Sequence, residues 1–203
     1  MENSIHIMKE EGIETETIRL IDHDVPPGIL KDMTEQGYQK DEWPDINRKI
    51  MNADILVVGS PLWLGEKSSV CQKLIERLYS VSGEKNSRGQ TGYYGKVAGT
   101  IITGNEDGAK HAAMGILYSL SHFGFAIPPQ ADTSWLGEVG PGPSYGEEGR
   151  VGLDNEFTKR NTTILTYNLI HFARMLKDGI PNKGNDTEAW ENGERWAFKE
   201  QNG

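Results

Sequence analysis

Six consecutive residues, Ile55, Leu56, Val57, Val58, Gly59 and Ser60, limit the fold more than any other stretch of the chain. Four apolar side chains in a row, with no polar alternation, describe a strand covered on both faces, as in a parallel sheet. A second run of this kind spans residues 97–103. Each run is followed by a glycine-containing loop and then by an apolar pattern of helical period. The spacing predicts a helix over 68–81, with Val70, Cys71, Leu74, Ile75 and Leu78 on one face. A further helix is predicted over 109–123, with Ala112, Ala113, Ile116, Leu117 and Leu120 facing inward. A third strand is expected within 125–135, broken or followed by Pro128 and Pro129. The last long helix is expected over 154–177, carrying Phe157, Ile164, Leu165, Leu169, Phe172 and Leu176. Alternating strand and helix of this kind specify an α/β layer fold with right-handed crossovers.

The front of the chain is less regular. Residues 2–11 read as a short helix stopped by Gly12. Residues 13–21 are β-prone but partly polar, which suits an edge strand. Residues 22–28 form a loop, and a helix begins at Pro44 and turns Ile46 and Ile50 inward. At 203 residues the chain is long enough for one domain with a substantial core.

Composition removes several functions. The formal charge is -9, and residues 1–53 supply -6 of it, from twelve acids and six bases. This balance argues against a nucleic-acid backbone or an anionic membrane as the main partner. The single cysteine, Cys71, excludes a disulfide framework and a multi-cysteine zinc site, and its place on an apolar helix face makes it a core residue. No apolar run approaches the length of a membrane span, and no signal-peptide pattern opens the chain. The expectation is a soluble, cytoplasmic protein.

Open α/β sheets bind ligands at the carboxyl ends of their strands, which directs attention to two loops. The first is Gly59-Ser60-Pro61-Leu62-Trp63-Leu64-Gly65-Glu66-Lys67-Ser68-Ser69. Trp63 in it has two readings, an indole packed under the loop or an aromatic wall for a planar ligand. The second loop is Thr103-Gly104-Asn105-Glu106-Asp107-Gly108, between a buried strand and a helix. Alone it would be a solvated helix cap. Its two glycines would also let backbone approach a ligand closely.

These two loops, with Gly-Lys-Val-Ala before the second and Asp-Thr-Ser-Trp and Pro-Gly-Pro-Ser-Tyr further on, resemble the NADPH-dependent FMN reductase group of flavodoxin-like proteins. The resemblance covers about residues 13–177. It implies a flavodoxin-like three-layer open parallel sheet, with a flavin-binding domain over residues 1–178. It implies FMN as cofactor, with Pro61, Leu62, Trp63, Leu64 and Gly65 on one side of the ring and Thr103, Gly104, Asn105, Glu106, Asp107 and Gly108 on the other. It further implies NAD(P)H as reductant, a quinone-like or flavin acceptor, and a homo-oligomer, dimer or tetramer. The hydride chemistry belongs to the flavin, so no side chain is nominated as catalytic and no metal is expected. Two other functions stay open: an electron carrier without nicotinamide turnover, and a flavin-free scaffold.

The same resemblance exposes a departure. The family opens on a central strand and a phosphate-binding loop, and neither precedes the helix at residues 2–11. The chain therefore reads as N-terminally truncated relative to the family, with residues 13–21 as the family's second strand and a gap of about 10 Å beside residues 55–60. An upstream start, closure of the gap, or a strand from elsewhere would each resolve it. Weakened FMN binding is the expected consequence.

Remaining candidates are weaker. Asp22, His23 and Asp24 read as a surface loop rather than a metal site. His111 either approaches a bound flavin or nicotinamide or is an exposed residue of the first helical turn. Ser68 and Ser69 read as helix-start residues. The glycine-rich segment 137–152, with Pro141 to Tyr145 inside it, is a loop that could fold over the flavin or meet another subunit. Residues 179–203, polar apart from Trp190, Trp196 and Phe198, read as a strap docked on the domain or a neighbour, or as a free end.

Overall fold

The structure is a computed structural model that describes residues 1–105, 107–138, 142–147, 151–180 and 187–193. Three strands form the parallel centre: β1 (Ile55–Trp63), β3 (Val97–Gly104) and β4 (Asp132–Leu136). A two-residue strand, β2 (Glu66–Lys67), returns antiparallel on the end of β1, giving the order β2-β1-β3-β4. Ile55 lies beside Val97 and Pro61 beside Thr103, while Thr100 lies beside Asp132 and Gly104 beside Leu136. The crossovers are helical, through α3 (Ser69–Tyr79) and α4 (Ala109–His122), and α5 (Glu156–Asp178) follows β4.

The sheet separates two cores. On one face α2 (Trp43–Asn52), α3 and α4 pack Ile46, Ile50, Cys71, Ile75, Leu78, Ile116 and Leu120 against Val58, Leu62, Ala98 and Ile102. On the other, α1 (Glu2–Glu10) and α5 pack Met8, Leu165, Leu169 and Ile170 against Val97 and Ile101. Gly99 faces α5. A methyl there would stand 2.9 Å from Leu165 Cδ1 and from the Ala131 carbonyl oxygen, so α5 rests directly on the strand. The helices and β3 thus follow the apolar periodicity, whereas β1 alternates, with exposed Gly59 between buried Val58 and Ser60. Phe157, expected to face inward, is 61 % exposed at the start of α5, because Thr158 and Thr162 take the inward face there and Arg160 stands over its ring. Cys71 is a core side chain, and burial pushes its thiol pKa up.

Three segments depart from expectation. Residues 13–21 form no strand. They run extended into a single 3₁₀ turn at Leu20–Asp22. Ile13 joins the second core, whereas Ile18 and Leu20 join the first, so this segment crosses from one face of the sheet to the other. A β-prone run needs a neighbouring backbone to complete its ladder, and among the described residues none pairs with it. Among the described residues, the side of β1 away from β3 pairs only with β2, at Leu62 and Trp63. Within 125–135 the strand proper is confined to β4, and Ala126 makes a single bridge to Val97. Pro128 and Pro129 have no N–H to give a ladder. Finally, the loop expected after Ser60 is a continuation of β1 that turns back at Leu64 and Gly65.

At the carboxyl end of the chain, α6 (Thr187–Glu191) is tied to the domain by Lys85, whose Nζ lies 3.2 Å from Glu191 Oε1. Trp190 is exposed, and Trp196 and Phe198 lie outside the described residues.

Candidate functional site

The turn at Leu64 and Gly65 has φ values of 51° and 79°. Positive φ at both central residues marks the tight hairpin turn whose twist matches that of the flanking strands. Glycine accepts this conformation readily, but leucine does so at a cost of about 1–2 kcal/mol. Leu62 is buried beneath the hairpin, while Trp63 is 63 % and Leu64 89 % exposed. Pro61 is exposed as well. Trp63 is therefore not packed under the loop; its ring lies exposed at the carboxyl edge of the sheet.

The loop after β3 packs against this hairpin. A methyl on Gly104 would stand 2.7 Å from Leu62 Cβ, and one on Gly108 would stand 2.6 Å from Gly65 Cα. Gly108 also has a φ of +105°, which favours glycine. Both glycines therefore let the two loops touch each other. Thr103, Gly104, Asn105 and Gly108 are half-buried and Asp107 is exposed, while Glu106 lies outside the described residues. Pro61 to Gly65 and Thr103 to Gly108 are thus neighbours on one edge, apart from that residue.

Two further contacts define this edge. Glu66, at the start of β2, meets His111 in the first turn of α4, with 2.6 Å between Oε1 and Nε2. That bond is the main reason the Glu66 carboxyl is held below its ordinary pKa, with Lys67 adding a smaller effect. On the opposite side, Asn105 Nδ2 donates to the carbonyl oxygens of Gly142 (2.8 Å) and Pro143 (3.3 Å). Tyr145 lies edge-on to Trp135, with ring centroids 5.6 Å apart. Glu66 and Trp135 are absent from the residues assigned to the ring, whereas Gly142 falls in the Pro141 to Tyr145 stretch expected to fold over the flavin or meet another subunit. Glu66 and His111 are 45 residues apart, and no local pattern joins them.

The other candidates have structural occupations. Ser68 caps α3 by accepting from the Cys71 N–H at 3.1 Å. His23 Nδ1 lies 3.6 Å from Glu42 Oε1, and Asp24 pairs with Lys40, so the Asp-His-Asp loop is held by surface ion pairs.

A flat heterocycle with polar and apolar edges suits such a surface. The exposed indole and leucine offer an apolar face, and the half-buried residues Thr103, Gly104 and Asn105 lie beside it at the end of β3. The isoalloxazine ring of FMN is of that chemistry, and the residues present fit it.

Comparison with known proteins bears on the same point. The family described as NADPH-dependent FMN reductase matches residues 3–136. The divalent metal cation transporter MntH of Mycobacterium bovis is 53 % identical over 177 residues, which are 87 % of this chain and 26 % of that protein. The chain thus spans about a quarter of that relative, and among the described residues no helix is long and apolar enough to cross a membrane. The 8-demethyl-8-aminoriboflavin-5'-phosphate synthase of Streptomyces davaonensis is 36 % identical over 183 residues, covering 88 % of this chain and 70 % of that protein. Among solved structures, RosB with bound 8-demethyl-8-formylriboflavin-5'-phosphate superposes with a TM-score of 0.81 at 32 % identity, over 98 % of this chain and 81 % of that one. With its mostly parallel α/β sheet of flavodoxin-like type, the chain belongs to the NADPH-dependent FMN reductase family, a family of flavin-associated oxidoreductases.

Proposed function

We propose that this chain is an NAD(P)H-dependent flavin oxidoreductase that holds FMN at the carboxyl edge of its sheet and reduces a small acceptor such as a quinone or free flavin. The observation that carries this reading is the contact of the Pro61–Gly65 turn with the Thr103–Gly108 loop, which sets exposed Trp63 and Leu64 beside a backbone ledge. Redox chemistry would come from the bound flavin, reduced by a nicotinamide and reoxidised by the acceptor. Trp63 and Leu64 would cover part of the ring from water. Peptide groups of the loop that follows Gly104 would orient its polar edge, where fixed dipoles stabilise developing negative charge. His111, paired with Glu66, would hold the hairpin to α4.

A second reading is favoured by one observation: RosB, whose structure holds a flavin altered at position 8, is similar over nearly the whole of this chain. On that reading a riboflavin 5'-phosphate is the substrate and its benzenoid ring the site of reaction.

Titration with FMN, followed by tryptophan quenching and flavin absorbance, tests binding. Anaerobic NAD(P)H oxidation with FMN and a quinone then tests turnover. The first reading expects saturable binding, nicotinamide oxidation and unchanged flavin mass. A changed flavin mass after turnover would favour the second, and absence of both binding and turnover would overturn both.

A further inference from the structure

We infer that Asn105 is a positioning residue, whose side-chain amide latches residues 142–147 beside the flavin site and so slows flavin release. This rests on the flavin-binding reading above. In the sequence Asn105 is one of a loop's polar residues facing a ligand. In the structure its Nδ2 is engaged by two carbonyl oxygens, those of Gly142 and Pro143.

Several other features converge on that latch. The Gly137 N–H donates to the Gly104 carbonyl oxygen at 2.8 Å, bringing the chain after β4 alongside the residue before Asn105. A methyl on Gly137 would stand 2.5 Å from the Trp135 ring and 3.0 Å from Asn105 Oδ1, so glycine is what allows the amide and the indole to share this corner. Tyr145 packs on Trp135 from the latched segment. A methyl on Gly152 would stand 2.4 Å from Tyr145 Cδ2, so the ring is closed in from that side too. Within the segment, the Ser144 N–H donates to Glu147 Oε2 at 2.8 Å. Among the described residues the segment therefore has its own internal turn, an aromatic contact with Trp135, and Asn105 as its polar attachment to the loop after β3.

The position gives this latch a consequence. The loop after β3 has the hairpin of Trp63 and Leu64 on one side and residues 142–145 on the other. Asn105 joins the ledge to the second wall. Opening that wall leaves the hairpin contacts at Gly104 and Gly108 unchanged.

The test compares wild type with Asn105→Ala and Asn105→Asp, using FMN as the probe. Two readouts are taken: the FMN dissociation rate by stopped flow, and amide hydrogen exchange across residues 142–147. Aspartate keeps the shape of asparagine but replaces a donor with an acceptor facing two carbonyl oxygens. The latch therefore expects Asn105→Asp to be at least as damaging as Asn105→Ala, the reverse of what a shape-filling role predicts. Loss of the two bonds is expected to speed FMN release about tenfold and to raise exchange in 142–147 without raising it in α3 or β1. Should either variant fail to fold, Tyr145→Ala frees the segment from its aromatic side and is expected to speed release likewise. FMN binding with unchanged release in the variants overturns the inference and leaves the flavin reading standing. Wild type that binds no FMN overturns both, while the exchange data still report whether Asn105 holds the segment.

Discussion

Arg77 Nη2 lies 2.6 Å from Asp41 Oδ2 with neither side chain exposed, and this pair fastens the long connection before α2 to the first core. Arg77 also donates to the Lys31 carbonyl oxygen at 3.1 Å and stands 5.7 Å from the centre of the Trp43 ring. Asp41 in turn accepts from the backbone N–H of Met33 and of Trp43.

Removing one member of such a pair strands a charge in a dry interior. Asp41→Ala is expected to destabilise the fold by about 3–5 kcal/mol, read from urea denaturation. Arg77→Met keeps apolar volume but leaves Asp41 without its counter-charge, so it is expected to be destabilising as well. A change below about 1 kcal/mol in both would mean that water reaches this site.

Gly104 has an ordinary backbone conformation, so Gly104→Ala isolates the close approach to Leu62 from any φ preference. Overpacking of this kind costs about 1–3 kcal/mol. The variant is expected to lose thermal stability and to bind FMN more weakly, because the hairpin must move away from the ledge. Unchanged affinity by FMN titration would show that hairpin and ledge do not act together.

Leu64 occupies a left-handed conformation with its side chain in solvent, so its strain is relieved by a residue suited to the turn. Leu64→Asn is expected to stabilise the protein by about 0.5–1 kcal/mol in a thermal melt while weakening FMN binding. Strained backbone of this kind clusters at ligand-binding sites. Higher stability with full affinity would remove Leu64 from the site.

The Glu66 carboxyl is held low chiefly by His111, and both side chains are more than half exposed. A carboxyl whose folded pKa is depressed contributes to stability above its ordinary range and loses that contribution as pH falls through the folded value. Loss of the Glu66–His111 tie is therefore expected on the acid side of the ordinary carboxylate range. In an NMR titration, His111→Gln is expected to move the Glu66 midpoint up towards its ordinary value. A midpoint unmoved by that change would assign the shift to other neighbours.

Much of the architecture was legible locally. The apolar run at 55–58, the mostly apolar stretch at 97–102 and the helical spacing of Leu74, Ile75 and Leu78 are each legible within a few residues. The two loops of the candidate site could be named for the same reason, since they follow buried strands. Residues 13–21 misled because strand propensity is realised only against a neighbouring backbone, which propensity does not reveal. The turn at Leu64 was equally hidden, since leucine is a poor marker of positive φ.

The sequence by itself determined the long helices, the strands that begin at Ile55 and Val97, and that Cys71 is a core side chain. Those properties arise from patterns of two or 3.6 residues. Only the tertiary structure decided that Gly104 and Gly108 serve contact between two loops, that Glu66 meets His111, and that Asn105 holds residues 142–143. These relationships join residues distant in the chain through single hydrogen bonds or the space of one missing methyl. Their energies depend on tenths of an ångström that only the packed chain sets.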